Sequence, residues 1–162
     1  MALKADRHEE TTDISFFYNA GTATRGGVVC LADLGLASGA AMDQGENLVA
    51  YAAATATSVP VGILLNDVVN KDLTRTHLNH HKDEVQKGGK VTVLTRGWVV
   101  TSNVTGTPVA GDVAYASETA GVISTTAGTA AASGNYAIGR FMSRKDADGY
   151  AKVFVNLPNH GA

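Results

Sequence analysis

Three of the chain's five histidines fall within Thr76-His77-Leu78-Asn79-His80-His81-Lys82-Asp83-Glu84. His77 and His81 are four residues apart, so a helix there would put both imidazoles on one face, as zinc-binding pairs require. Glu84, one turn beyond His80, is the candidate third ligand. No glutamate follows His77 directly and no outside ligand suggests itself, so the segment reads better as a solvated, charged excursion between strands. The other reactive types are no more suggestive. Cys30 lies inside the apolar run Gly26-Gly27-Val28-Val29-Cys30-Leu31 and reads as a small core residue. The serines lack a Gly-x-Ser-x-Gly elbow. Gly26-Gly27 and Gly88-Gly89 are pairs, not phosphate-cradling loops that open a helix. Asp112 and Glu118 lie near turns. Asp146-Ala147-Asp148-Gly149 begins like a calcium loop, but Tyr150, Lys152 and Phe154 occupy the later ligand positions. It is better read as a hairpin turn with Asp-Gly at its tip. No catalytic residue, no metal and no cofactor is expected.

The elements that carry these residues are set by an unusual composition. Ala 25, Gly 18, Thr 17 and Val 18 make up 78 of 162 residues, whereas Leu, Ile, Phe, Met, Trp and Tyr together supply 28. Small and β-branched side chains suit short strands and tight turns better than helix packing. A chain of this length still hides about two-thirds of its extended surface, enough for one core without staples. The net charge of −2 argues against a nucleic-acid binder. A single cysteine excludes an internal disulfide framework. No apolar run approaches a membrane span, and Met1 to Asp13 lacks the apolar stretch of a signal peptide. The expectation is a soluble protein made in a reducing compartment, with no nucleic-acid and no membrane partner.

Charge placement organises the chain. Six of the 28 charged residues lie between Lys4 and Asp13, and eight lie between Lys71 and Lys90. From Val91 to Gly139 only Arg96, Asp112 and Glu118 are charged. A polar arm over residues 1–13 without a core of its own, a charged insertion over 70–89 and a β-rich body over 14–162 follow. Nine strands are expected, at Gly26–Leu31, Asn47–Tyr51, Val59–Leu65, Lys90–Leu94, Gly97–Thr101, Asp112–Ala116, Gly121–Ser124, Tyr136–Met142 and Ala151–Leu157. A weak echo links Val61-Gly62-Ile63-Leu64 with Ile138-Gly139-Arg140-Phe141, each glycine opening a strand. It reads as a shared need for a glycine at a bend, with a true internal duplication as the alternative. Phe16-Phe17-Tyr18 follows the arm, and three adjacent aromatics cannot all face one side of a strand, so at least one should point away from the core. The cluster reads as ordinary first-strand packing or, alternatively, as a contact with another subunit.

The stretch Leu48 to Asn66, in which Leu-Val-Ala-Tyr leads through Ala and Thr to Val-Pro-Val-Gly-Ile-Leu-Leu-Asn, resembles the strand-loop-strand of small phage head decoration proteins. More broadly the chain looks like the family of tailed-phage capsid cement proteins. The likeness includes Asp6 to Glu10, the segment 67–89, the strand Lys90 to Val100, Gly139-Arg140-Phe141 and Asp148-Gly149-Tyr150. The charged segment Asn70 to Lys87 departs from the compact lambda type. The resemblance implies an all-β domain, a small β-barrel or β-tulip with an extended N-terminal arm, usually trimeric. It also implies attachment to the outside of an expanded shell, with the major capsid protein and further copies of itself as partners. Assembly would take place in the host cytoplasm.

On that expectation the capsid-binding residues are Asp6, Arg7, His8, Glu9, Glu10, Phe16, Phe17 and Tyr18. The subunit-contact residues are Arg75, His77, Lys82, Asp83 and Glu84. The competing readings are a virion fibre or receptor-binding module and, further off, a metal-dependent enzyme at His77, His80 and His81. Copy number on the particle separates the first alternative, and metal analysis the second.

Overall fold

The computed structural model describes residues 2–18, 20–31, 47–51, 58–70, 84–128 and 136–157, and every regular element among them is a strand. In chain order these are β1 (Leu3–Asp13), β2 (Phe17–Tyr18), β3 (Val28–Leu31), β4 (Leu48–Ala50), β5 (Pro60–Leu64), β6 (Asp67–Val69) and β7 (Glu84–Gln86). Then come β8 (Val93–Thr101), β9 (Val104–Thr105), β10 (Val113–Ala116), β11 (Ile123–Ser124), β12 (Ala137–Phe141) and β13 (Ala151–Asn156). The all-β expectation holds.

β8 organises the sheet. One of its edges is lined by β1 from Leu3↔Thr101 to Asp13↔Val93. The other edge is shared: β5 pairs with Val93 and Leu94, and β13 pairs with Arg96 to Thr101. From β5 the sheet continues through β3 to β4 and β2, and from β13 through β12 and β10 to β11 and β9. The two halves then meet, because Val28 N donates to Gly121 O at 3.2 Å in the turn before β11. The path β3-β5-β8-β13-β12-β10-β11 therefore returns on itself around one apolar interior.

Side-chain alternation fills that interior. β13 buries Ala151, Val153 and Val155 and turns Lys152, Phe154 and Asn156 outward. Ile138, Phe141, Ile123 and Val99 join them. The strands β3, β5 and β8 are apolar on both faces where they meet. Val28, Ile63 and Leu94 feed the interior, whereas their neighbours Val29, Leu64 and Val93 feed a second cluster with Tyr18, Val49, Val68 and Val91. Burial on two sides is why Val59 to Leu65 lacks a polar alternation.

That second cluster is flanked by the separate pair β6–β7, which runs parallel with Asp67 opposite Glu84. Parallel neighbours need a long crossover. The charged insertion supplies it, leaving after β6 and returning as β7.

Several differences from the sequence reading have physical causes. Val93 and Leu94 of the expected Lys90–Leu94 strand run on into Gly97–Thr101 as one strand, since Gly97 does not end β8 but lets two backbones close on it. A Cβ there would lie 2.1 Å from His8 O, at a φ of 140°. The glycines of the internal echo also answer close approach rather than a bend. A Cβ on Gly62 would lie 2.4 Å from Leu94 O, and one on Gly139 would lie 1.8 Å from Phe154 O. The charged segment 3–13, expected to lack a core of its own, lies as β1 along β8 with Leu3 1% exposed in the main core. The Asp-Gly hairpin turn is present as read. Asp146 Oδ1 accepts from Asp148 N at 3.0 Å and Tyr150 N at 2.8 Å, and Gly149 takes the φ of 84° that L residues avoid.

Candidate functional site

β1 brings five of the eight candidate capsid-binding residues onto one ribbon. Its backbone is held by the β8 ladder, extended at its start by Ser102 N donating to Ala2 O at 2.8 Å. The ladder slips between Leu3 and Arg7, and again on both sides of Thr11. Such irregularities twist an edge and discourage indiscriminate pairing. Side chains add discrete fasteners. Lys4 Nζ lies 2.7 Å from Asp146 Oδ2 and 4.3 Å from the centre of the Tyr150 ring. Glu10 Oε2 meets Arg96 Nε at 2.8 Å, and Thr95 Oγ1 donates to Thr11 O at 3.0 Å.

Between these fasteners His8 stacks on Trp98, with ring centres 6.3 Å apart and an interplanar angle of 29°. Lys152 Nζ, from the strand on the other side of β8, lies 3.4 Å from the centre of the same indole. Trp98 stands opposite Phe154, and Phe154 opposite Arg140. A continuous row of outward side chains, His8, Trp98, Phe154 and Arg140, therefore crosses β1, β8, β13 and β12.

The electrostatics of this face are those of exposed ion pairs. The hydrogen bond from Lys4 holds the Asp146 carboxyl below its ordinary value, aided by the Tyr150 N–H. The same bond raises Lys4 above its usual range. Arg7 Nε reaches Glu9 Oε1 at 2.5 Å on the same strand. Asp6, Arg7, His8, Glu9 and Glu10 thus lie along β1, with Arg7 half-buried and the other four exposed.

The aromatics divide. Phe16 and Phe17 are half-buried, and Lys90 Nζ lies 5.6 Å from the Phe17 ring centre. Tyr18 is 2% exposed in the second core, so it is not a surface contact of this chain. Its hydroxyl stays inside because Tyr51 N donates to it at 3.2 Å, and burial pushes its pKa up. Tyr51 is buttressed in turn: Gly27 N donates to its hydroxyl at 3.0 Å, while that hydroxyl donates to Thr24 O.

Of the expected subunit-contact residues, Arg75, His77, Lys82 and Asp83 lie outside the described residues, as do His80 and His81. Glu84 is half-buried at the start of β7, opposite Asp67. Among the described residues no three His, Cys, Asp or Glu side chains converge as metal ligands. Cys30 is sealed in the main core, and burial pushes its thiol up to about 12, far from a reactive thiolate. Trp98, Lys152 and Phe154 were not singled out in the sequence. The available signal was a tryptophan at an outward position of an otherwise alternating strand.

What this arrangement can do is adhere. A small-residue β body presents a long strand, β1, paired only with β8 among the described residues, with charges of both signs and an aromatic row beside it, the equipment of a structural binding protein. Residues 7–156 match the model of the family described as structural cement protein (E217 gp24/Pam3 gp6), and the chain belongs to that family of phage proteins. No curated protein matches the chain at a significant level. Family membership makes it a structural component of the phage capsid with a stabilising role, as the sequence resemblance implied.

Proposed function

We propose that this chain attaches to the outer surface of the expanded capsid of a tailed phage and cements neighbouring capsomers against the pressure of packaged DNA. The observation that carries this reading is the family match, which spans β1 from Arg7 to the end of β13 at Asn156. In the reading the major capsid protein is the partner. The protein acts as a homotrimer, without catalysis, cofactor, nucleic-acid or membrane contact, and assembles in the host cytoplasm. Binding a site complete only in the mature lattice stabilises that lattice by mass action. Repetition over many copies, each with several contacts, lets a modest affinity per copy suffice.

The capsid contact is assigned to β1 and its flank: Asp6, Arg7, His8, Glu9 and Glu10, with Phe16 and Phe17. Support comes from the exposure of these charges and from β1 pairing only with β8 among the described residues, so its other edge is the candidate for strand addition from a capsid-protein sheet. The segment Asn70 to Lys87 is assigned to contacts between subunits, where balanced charge fixes register more than it adds affinity. The experiment is a pull-down of Asp6→Lys/Glu10→Lys protein by expanded, undecorated shells across a salt series. The expected result is weakened retention at low salt in a protein with an unchanged β spectrum. Retention equal to wild type at every salt concentration removes β1 as the contact.

A further inference from the structure

Ile14, Val109 and Met142 are the large apolar side chains most exposed among the described residues, at 63%, 61% and 55%. They form two patches at opposite ends of β8. Ile14 follows Asp13, the partner of Val93 at the start of β8. The same end carries an apolar groove of about 200 Å³ lined by Phe16, Leu31, Pro60 and Val61, with Asp13 and Thr95 at its margin.

At the far end Met142 N donates to Lys152 O at 2.7 Å, and Lys152 pairs with Val100. Val109 belongs to the adjoining turn, whose Gly111 N donates to Phe141 O at 2.8 Å. Pro108 and Val109 line one hollow together with Arg144 and Lys145. From Thr95 to Val100 the strand advances roughly 17 Å, at ~3.3 Å per residue.

The two patches differ in kind. One is a recess with a carboxylate at its margin, Asp13. The other is a pair of turns that expose Val109 and Met142 beside a hollow lined by two cations, Arg144 and Lys145, which have no carboxylate partner among the described residues. A two-fold contact through either patch would set Asp13 against Asp13 or cation against cation. A head-to-tail contact sets cation against carboxylate and the exposed apolar side chains against the apolar groove.

We propose that copies of this chain associate head to tail, the Val109–Met142 turns of one copy seating on Ile14 and the neighbouring groove of Phe16, Leu31, Pro60 and Val61 of the next. This deepens the self-association in the reading above by naming its surfaces. Such a contact closes into a ring where the rotation per step divides a full turn. On a shell it would link copies sideways through residues other than Asp6 to Glu10, with Phe16 at the border between that contact and the lattice contact.

The test uses the full chain with Ile14→Cys or Met142→Cys, Cys30 staying in place because its thiol is buried. Concentrated solutions of each variant and of their equal mixture are oxidised mildly. The expected product is a two-chain disulfide from the mixture, in clear excess over either variant alone. A mixture that yields no such excess overturns the proposal, as does equal cross-linking by one variant alone, which marks a symmetric contact. A second pair, Met142→Asp and Val61→Asp, reads the same geometry by sedimentation. Each alone should lose association, and the mixture should recover a two-chain complex and nothing larger. Self-association that survives either substitution alone also overturns the proposal. Retention by shells, measured on the same variants, reads the cement assignment separately.

Discussion

His8 of β1 lies with its imidazole stacked on the indole of Trp98 in β8, 6.3 Å between ring centres. This contact joins a terminal charged segment to the central strand, from residues 90 positions apart in the chain (98 less 8). It also supplies a reporter, because Trp98 is the chain's single tryptophan. Replacing His8 with Ala should redden and broaden the Trp98 emission, with the unfolding midpoint nearly unchanged. An emission spectrum identical to wild type would mean that β1 does not cover Trp98 in solution.

Leu3 anchors the start of β1 in the main core. Leu3→Ala should cost about 2–4 kcal/mol, in the range for a fully buried leucine. Removing residues 2–13 should do more, because it also bares the β8 edge from Val93 to Thr101. An open edge of that length favours aggregation. Thermal unfolding and light scattering of both variants check this; a truncated chain as stable and monodisperse as wild type contradicts it.

The Lys4–Asp146 pair gives the β1 start a defined pH window. Asp146 is held below its ordinary carboxyl value, so its contribution is present above 3.8 and fades as pH falls through the lowered pKa. Lys4 is raised, so its contribution is complete below 10.5 and fades as pH rises through the raised pKa. Amide exchange at Lys4 and Ala5 should therefore be slowest, relative to intrinsic rates, between those limits, and salt should speed it. Asp146→Asn keeps an oxygen for the turn N–H groups but removes the charge, and should abolish the pH dependence. A dependence that survives in Asp146→Asn places its origin elsewhere.

Gly97 and Gly139 should be the least replaceable glycines of the sheet. An added Cβ would meet His8 O at 2.1 Å in the first case and Phe154 O at 1.8 Å in the second. Each alanine variant should lose about 3 kcal/mol or more, the scale of severe core overpacking. The two should differ in where they fail. Gly97→Ala should speed exchange first in β1, and Gly139→Ala in β12 and β13. Uniform exchange in both would argue against the ladder described.

The β body was legible because Val- and Ala-rich runs such as Ala151–Asn156 alternate, and because Asn, Asp and Gly punctuate them. β1 was not. Leu-Lys-Ala-Asp-Arg-His-Glu-Glu-Thr-Thr-Asp shows no strand period, and its pairing depends on the distant Thr101, Trp98 and Gly97. The short β2, β6, β7 and β9 were missed for a related reason, since two or three residues carry no period to read. The charge cluster Asp6 to Glu10 was visible as a candidate contact, whereas Tyr18 looked like a surface aromatic. Its internal hydrogen-bond partner, Tyr51 N, belongs to a different strand–loop unit. Trp98, Lys152 and Phe154 became a group only through the β8–β13 register.

A cement protein strengthens the shell it decorates, and shell disruption temperature as a function of bound protein measures that strengthening directly. Expanded, undecorated shells titrated with the purified protein should disrupt at rising temperature as sites fill, with a plateau at saturation. Saturated binding that leaves the disruption temperature where it began would contradict the cement role.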